Sequence, residues 1–193
     1  RLQFSFAQDH HTWNTCAMED ALYIFTRYCT QGGLDVCHFL FSRKLIGLWK
    51  NRSSSYKLVS RCAFRSAANS GQVHILHFLR DLGLGVTDLR KDSYTALFQV
   101  CGLGLSHVLQ FFKNIGLTTD DIRFAKNYAL FAAVINNHIN ILQCLRREWQ
   151  LTLNDLYANK RLIFRKARQL GHVAVRQFLT DWKEELLAKN KNN

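Results

Sequence analysis

Asp9, His10, His11 and Cys16 stand close enough in sequence to offer a carboxylate, two imidazole bases and a thiol nucleophile. A cysteine attacks as its thiolate, and an adjacent imidazole lowers the thiol pKa enough to supply one. Residues this near one another share a single stretch of backbone and cannot each take an independent angle. They are read here as part of a polar N-terminal cap or incomplete repeat over residues 1–20, with one buried thiol. Farther on, His74, His107, His138 and His172 recur and invite a metal reading. Packed helical units stand about 10 Å apart, too far for one ion to bridge. These imidazoles are therefore expected to satisfy backbone groups at local helix ends, with no metal and no cofactor.

The remaining chemistry-bearing patterns are weaker. Gly102-Leu103-Gly104-Leu105 is glycine-rich but follows no strand, so it does not read as a phosphate cradle. The chain carries no Gly-x-Gly-x-x-Gly, His-Glu-x-x-His or Gly-x-Ser-x-Gly motif. Six cysteines (Cys16, Cys29, Cys37, Cys62, Cys101 and Cys144) are scattered without a Cys-x-x-Cys pair. They are expected to be reduced, buried thiols of a cytoplasmic protein. A non-enzymatic role follows as the expectation.

The 193 residues are 48% apolar and 21% charged, enough for one folded domain with a sizeable core. Charges interrupt every apolar run before the roughly 18 residues that a membrane helix needs, so no membrane span is expected. The chain opens on Arg1 and is read as a fragment or processed product. Its net charge is +12, and the excess grows toward the C-terminus: residues 151–193 hold nine Lys and Arg against four Asp and Glu.

What positions these residues is a period. Leu84 to Gly116, Leu117 to Gln150 and Leu151 to Glu184 align over 33, 34 and 34 residues. Asp88, Asp121 and Asp155 keep that step, as do Gly71, Gly104, Asn137 and Gly171. Two earlier copies are recognisable at Ala21 to Leu40 and Arg61 to Leu79, with a six-residue insertion around Asn51 to Ser55. Within each copy apolar residues recur at three and four, stop at the Gly or Asn, and restart, which predicts helix, tight turn, helix. The polar stretch from Asp121 to Asn127 is expected to be a loop, and Asp181 to Lys191 a separate polar helix. Cys29, Cys101 and Val134 share one core slot. Trp49, Trp149 and Trp182 fall near the ends of second helices, where a large ring can seal the stack.

On these residues the chain resembles the ankyrin repeat family, whose unit of about 33 residues has a Thr-Pro-Leu-His-x-Ala-Ala helix start and a Gly-His break. Tyr128-Ala129-Leu130-Phe131-Ala132-Ala133 and Asn137-His138 occupy those positions, as do Arg168 to His172 in the following copy, although the Thr-Pro-Leu-His tetrad is missing throughout. The style looks like divergent members from amoebal giant viruses and intracellular bacteria. The resemblance implies an all-α, ankyrin-type helical repeat solenoid of about five repeats over residues 21–184, followed by a polar tail over 185–193. It also implies partner binding by loop tips and the concave inner-helix face, and a host protein captured in the host cytosol.

By register the expected contact residues are Arg90, Lys91, Arg123, Phe124, Lys126, Tyr157, Lys160 and Arg161, with Arg165, Lys166 and Arg168 added by the following helix. Stacking lines them up as a basic row with aromatics between them, which suits a partner protein with an acidic surface bound by a monomer. Recognition of nucleic acid or acidic phospholipid by the same row is the alternative, and a targeting role beside a catalytic domain elsewhere is a third.

Overall fold

The computed structural model describes residues 15–42 and 55–191, with side chains except at 15–22, 39–42, 55–60 and 159. The described residues form eleven α-helices and no strand. Helices α1 (Thr15–Gln31), α3 (Ser55–Asn69), α6 (Thr95–Leu103), α8 (Thr119–Ile135) and α10 (Leu153–Gln169) pack each against the next. A second row, α4 (Val73–Asp81), α7 (Ser106–Asn114), α9 (Ile139–Glu148) and α11 (Val173–Lys191), does the same behind them. Each first-row helix also packs on the second-row helix that follows it, beginning with α1 on α2 (Leu34–Ser42). A short α5 (Val86–Lys91) leads into α6. Asp9 to His11, Trp49 and the expected insertion lie outside the described residues, as does the side chain of Cys16.

The turns between paired helices follow the sequence pattern. Gly32, Gly71, Gly104, Gly171 and Asn137 all take φ between 61° and 78°. At the third turn, Gly104 holds φ at 75° while the Leu105 amide donates to the Val100 carbonyl at 3.1 Å, closing the helix end five residues back. Apolar positions at three and four then face inward from both rows. Phe64, Leu97 and Leu130 of the first row and Leu76, Leu109, Leu142 and Leu179 of the second are buried. Cys29, Cys101 and Val134 fill the same buried slot, and Trp149, also buried, donates its indole N–H to the Leu117 carbonyl at 3.4 Å.

Two expectations are met only in part. Of the stretch from Asp121 to Asn127, Phe124 to Asn127 leave the helical conformation as a loop would, whereas Asp121 to Arg123 belong to the first turn of α8, because Thr118 and Asp121 form a capping box: the Thr118 amide donates to Asp121 Oδ2 at 2.8 Å and the Asp121 amide to Thr118 Oγ1 at 3.3 Å. The same acidic cap recurs where the Gly85 amide donates to Asp88 Oδ2 and the Thr152 amide to Asp155 Oδ2. A left-handed step follows each start, at Ser93 and Tyr94, at Ala125 to Asn127, and at Lys160 and Arg161, with φ of 50–62°. The polar segment from Asp181 to Lys191 is helical as expected but does not begin a helix of its own; α11 runs unbroken from Val173 to Lys191 and takes in residues 185–191 of the polar tail. Phe178, Leu179, Trp182 and Leu186 keep helical spacing there, with no Gly or Pro to stop it.

Candidate partner-binding surface

The recurring histidines bind backbone, but across copies and not locally. His74 and His107 donate from Nε2 to the carbonyls of Gly32 and Gly71 one copy back, at 3.1 and 3.2 Å. Asn140 continues that series to the Gly104 carbonyl at 2.7 Å. A second series, two residues earlier in the copy, joins His138 to Gly102 and His172 to Ile135 at 2.9 and 3.2 Å. Each bond goes to a carbonyl at a helix end, and those of Gly32, Gly71 and Gly104 also accept the amide two residues on. These imidazoles are thereby committed to holding neighbouring copies together.

Two of the expected contact arginines are committed likewise. The Arg90 guanidinium grips Asp121 of the following copy, with Nε to Oδ1 at 2.8 Å and Nη2 to Oδ2 at 2.9 Å, and the Tyr94 hydroxyl donates to Oδ1 at 2.6 Å. One copy on, Arg123 grips Asp155 at 2.9 and 3.0 Å, and Asn127 donates to the Asp155 carbonyl at 3.2 Å. Burial by itself raises the Asp121 pKa, but the hydrogen bonds from Arg90, Tyr94 and Thr118 outweigh it and hold the carboxyl below its ordinary range. Asp155 is lowered in the same way by Arg123 and Thr152 against its burial. Arg90 and Arg123 are thus half spent on structure; a basic residue at a tip looks the same in sequence whether it faces solvent or a carboxylate a copy away.

The other tip residues remain open. Lys91, Lys126 and Lys160 are exposed. Phe124 is 43% exposed, its ring 4.4 Å from that of Tyr94, and Phe98, Tyr128 and Phe131 extend this into an aromatic patch along the first row. Lys166 bonds the Gln169 side chain at 3.0 Å, leaving it apart from the residues that converge next.

Tyr157, Arg161, Arg165 and Arg168 come together at the far end of the stack. They line an open groove of about 460 Å³ between α10 and α11, completed by Phe164, Gln169, Thr180 and Lys183. Its four cations face no carboxylate lining, and among the described residues none of them forms an ion pair. Arg161 lies over the Tyr157 ring at 4.4 Å, which fixes the plane of its guanidinium and leaves N–H groups free at the edge. Arg165 and Arg168 are three residues apart on one helix face, a spacing at which like charges repel, and Arg161 joins them from the left-handed step that precedes it. An anion in the groove relieves that repulsion.

The sequence pattern singles out neither Phe164 nor Lys183, though the period carries a signal for Phe164. Phe164 stands at the step of Leu97 and Leu130, and Arg168 at that of Cys101 and Val134. Those interior residues are buried, whereas Phe164 is half-buried and Arg168 exposed. The core slots of the earlier copies thus become groove lining in the last. Among the described residues no three His, Cys, Asp or Glu side chains are arranged to hold a metal, and no helix is long and apolar enough to cross a membrane. No family model, curated protein or solved structure matches the chain.

Proposed function

We propose that this chain is a non-catalytic binding module, an ankyrin-type solenoid of about five repeats, that captures a partner protein through an acidic surface segment. The observation that supports this most is the α10–α11 groove, where four cations and two aromatic rings converge without a carboxylate lining. Stacked helical copies hold such a surface rigid, so little ordering is needed when the partner arrives. The aromatic rings favour a protein segment that can bury apolar side chains beside its acids, with Phe124 and Tyr128 extending the contact along the first row.

Titration of the isotopically labelled protein with a deca-aspartate peptide tests this. Backbone and side-chain NMR shifts are expected to cluster at Arg161, Arg165, Arg168 and Lys183. Shifts spread evenly over the basic surface would contradict a defined site. A single-stranded oligonucleotide of equal charge separates the nucleic-acid alternative: tighter binding of the oligonucleotide through the same residues, with a salt slope near 0.7 per phosphate contacted, would favour that reading instead.

A further inference from the structure

The two junctions described above use one device. At the seventh and eleventh positions of the third copy, Arg90 and Tyr94 hold the capping Asp121 of the fourth. At the same positions of the fourth copy, Arg123 and Asn127 hold Asp155 of the fifth. At those positions of the fifth copy stand Tyr157 and Arg161, the residue types of Arg90 and Tyr94 in exchanged order. Arg161 repeats the left-handed backbone of Tyr94 and Asn127, with φ of 60° against 59° and 62°. A further step of 33 or 34 residues from Asp155 falls on Ala188 or Lys189, so α11 has no carboxylate at that position, and its Glu185 is paired with Arg146 and Lys189. Among the described residues neither Tyr157 nor Arg161 meets one.

Resting on the acidic-partner function above, we propose that Tyr157 and Arg161 form a vacant carboxylate clamp, whose ligand is an Asp or Glu of the partner presented at the start of a helix. The interior clamps show what fits. Each takes a carboxylate that is already accepting the N-cap amide of its own helix, so both oxygens are oriented before the guanidinium arrives. The groove beside the clamp has the contents that a docked helix needs: Phe164 for an apolar face, and Arg165, Arg168 and Lys183 for further acids. The partner therefore docks as a following copy would, acid first, onto the end of the stack.

The test uses the whole chain and a synthetic peptide of residues 150–159 with blocked ends, whose one carboxylate is Asp155 in its capping box. Side-chain NMR of Arg161 and Tyr157 follows the titration. Binding is expected at millimolar peptide, with about tenfold loss when the peptide carries Asp155→Asn, since a charged hydrogen-bonded pair accounts for that much. Arg161→Gln in the protein is expected to give a similar loss. Tyr157→Phe, which removes the hydroxyl alone and keeps the ring, should give a smaller one. Equal binding of the Asn peptide, an unaffected Arg161→Gln protein, or no binding at all overturns the clamp. If deca-aspartate binds through Arg165, Arg168 and Lys183 while Arg161→Gln and Tyr157→Phe leave it unchanged, the clamp fails and the acidic-partner function stands. If neither peptide binds, both fall.

Discussion

Arg90 and Asp121, 31 residues apart in the chain, meet through two parallel hydrogen bonds of 2.8 and 2.9 Å, so that a guanidinium of one copy is fixed by the helix cap of the next. The pair is asymmetric. Asp121 is 3% exposed, whereas the Arg90 side chain is close to half exposed. The carboxylate depends on its partners far more than the guanidinium does, and the energetic consequence falls on Asp121.

Asp121→Asn is expected to destabilise the protein by about 1.5 to 3 kcal/mol at neutral pH, the range for hydrogen bonds to a charged group. Because the folded carboxyls of Asp121 and Asp155 lie below the unfolded value of about 3.9, their contribution is complete above that pH. It is lost as pH falls through the folded values, where both states bind the proton. Urea unfolding of wild type and Asp121→Asn should show a gap at pH 7 that narrows steadily below about pH 4. A gap independent of pH would mean that Asp121 acts through shape alone. Charge reversal at Arg90 or Arg123 should reduce folding, whereas reversal at Lys91, Lys126 and Lys160 should leave it intact.

Gly32, Gly71 and Gly104 are constrained twice, by their left-handed backbone and by an imidazole from the next copy. A Cβ added at Gly104 meets His138 Nδ1 at 2.5 Å. Gly104→Ala therefore displaces the ring that bonds the Gly102 carbonyl, in addition to the cost of about 1 to 2 kcal/mol for a left-handed residue with a Cβ. His138→Ala removes one net hydrogen bond, about 1 kcal/mol. Thermal melts should find Gly104→Ala the more destabilising of the two. The reverse order would place the constraint elsewhere.

These turns also show what a sequence can and cannot disclose. The Gly and Asn breaks were legible because a positive φ restricts residue type directly, and the buried slots because burial restricts size and polarity at a fixed step. The destinations of Arg90, Arg123 and the histidines were not, since each bonds a group some 31 to 42 residues away and the choice between that group and water leaves no mark on the residue itself. One mark was present: His107 and His138 stand 31 residues apart, not 33, which separates two series where one was assumed. The groove was half visible. Tyr157, Arg161, Arg165 and Arg168 fell into it by register, but Lys183 comes from α11, which the sequence reading divided at Asp181.

The buried thiols of Cys29, Cys101 and Cys144 are expected to be inert in the folded state. Cys29 and Cys37 are buried with their sulfurs 3.8 Å apart, and the hydrogen bond between them together with burial pushes the Cys29 thiol up. Burial raises Cys101 and Cys144 as well. Mass spectrometry after alkylation at pH 8 should label the partly exposed Cys62 ahead of Cys29, Cys101 and Cys144, and all of them after denaturation. Fast native labelling of Cys101, or a Cys29–Cys37 disulfide in freshly reduced protein, would contradict this.

The acidic-partner function rests on the sign of the charge in one groove, and exchanging that sign tests it most directly. Calorimetry with deca-aspartate and deca-lysine peptides should show wild type binding only the acidic one. The Arg165→Glu, Arg168→Glu double variant, with an unchanged melting curve because both side chains are exposed, should lose deca-aspartate by at least about tenfold, 1.4 kcal/mol, and gain measurable deca-lysine binding. Retention of deca-aspartate affinity by the double variant would contradict the assignment of the groove as the partner site.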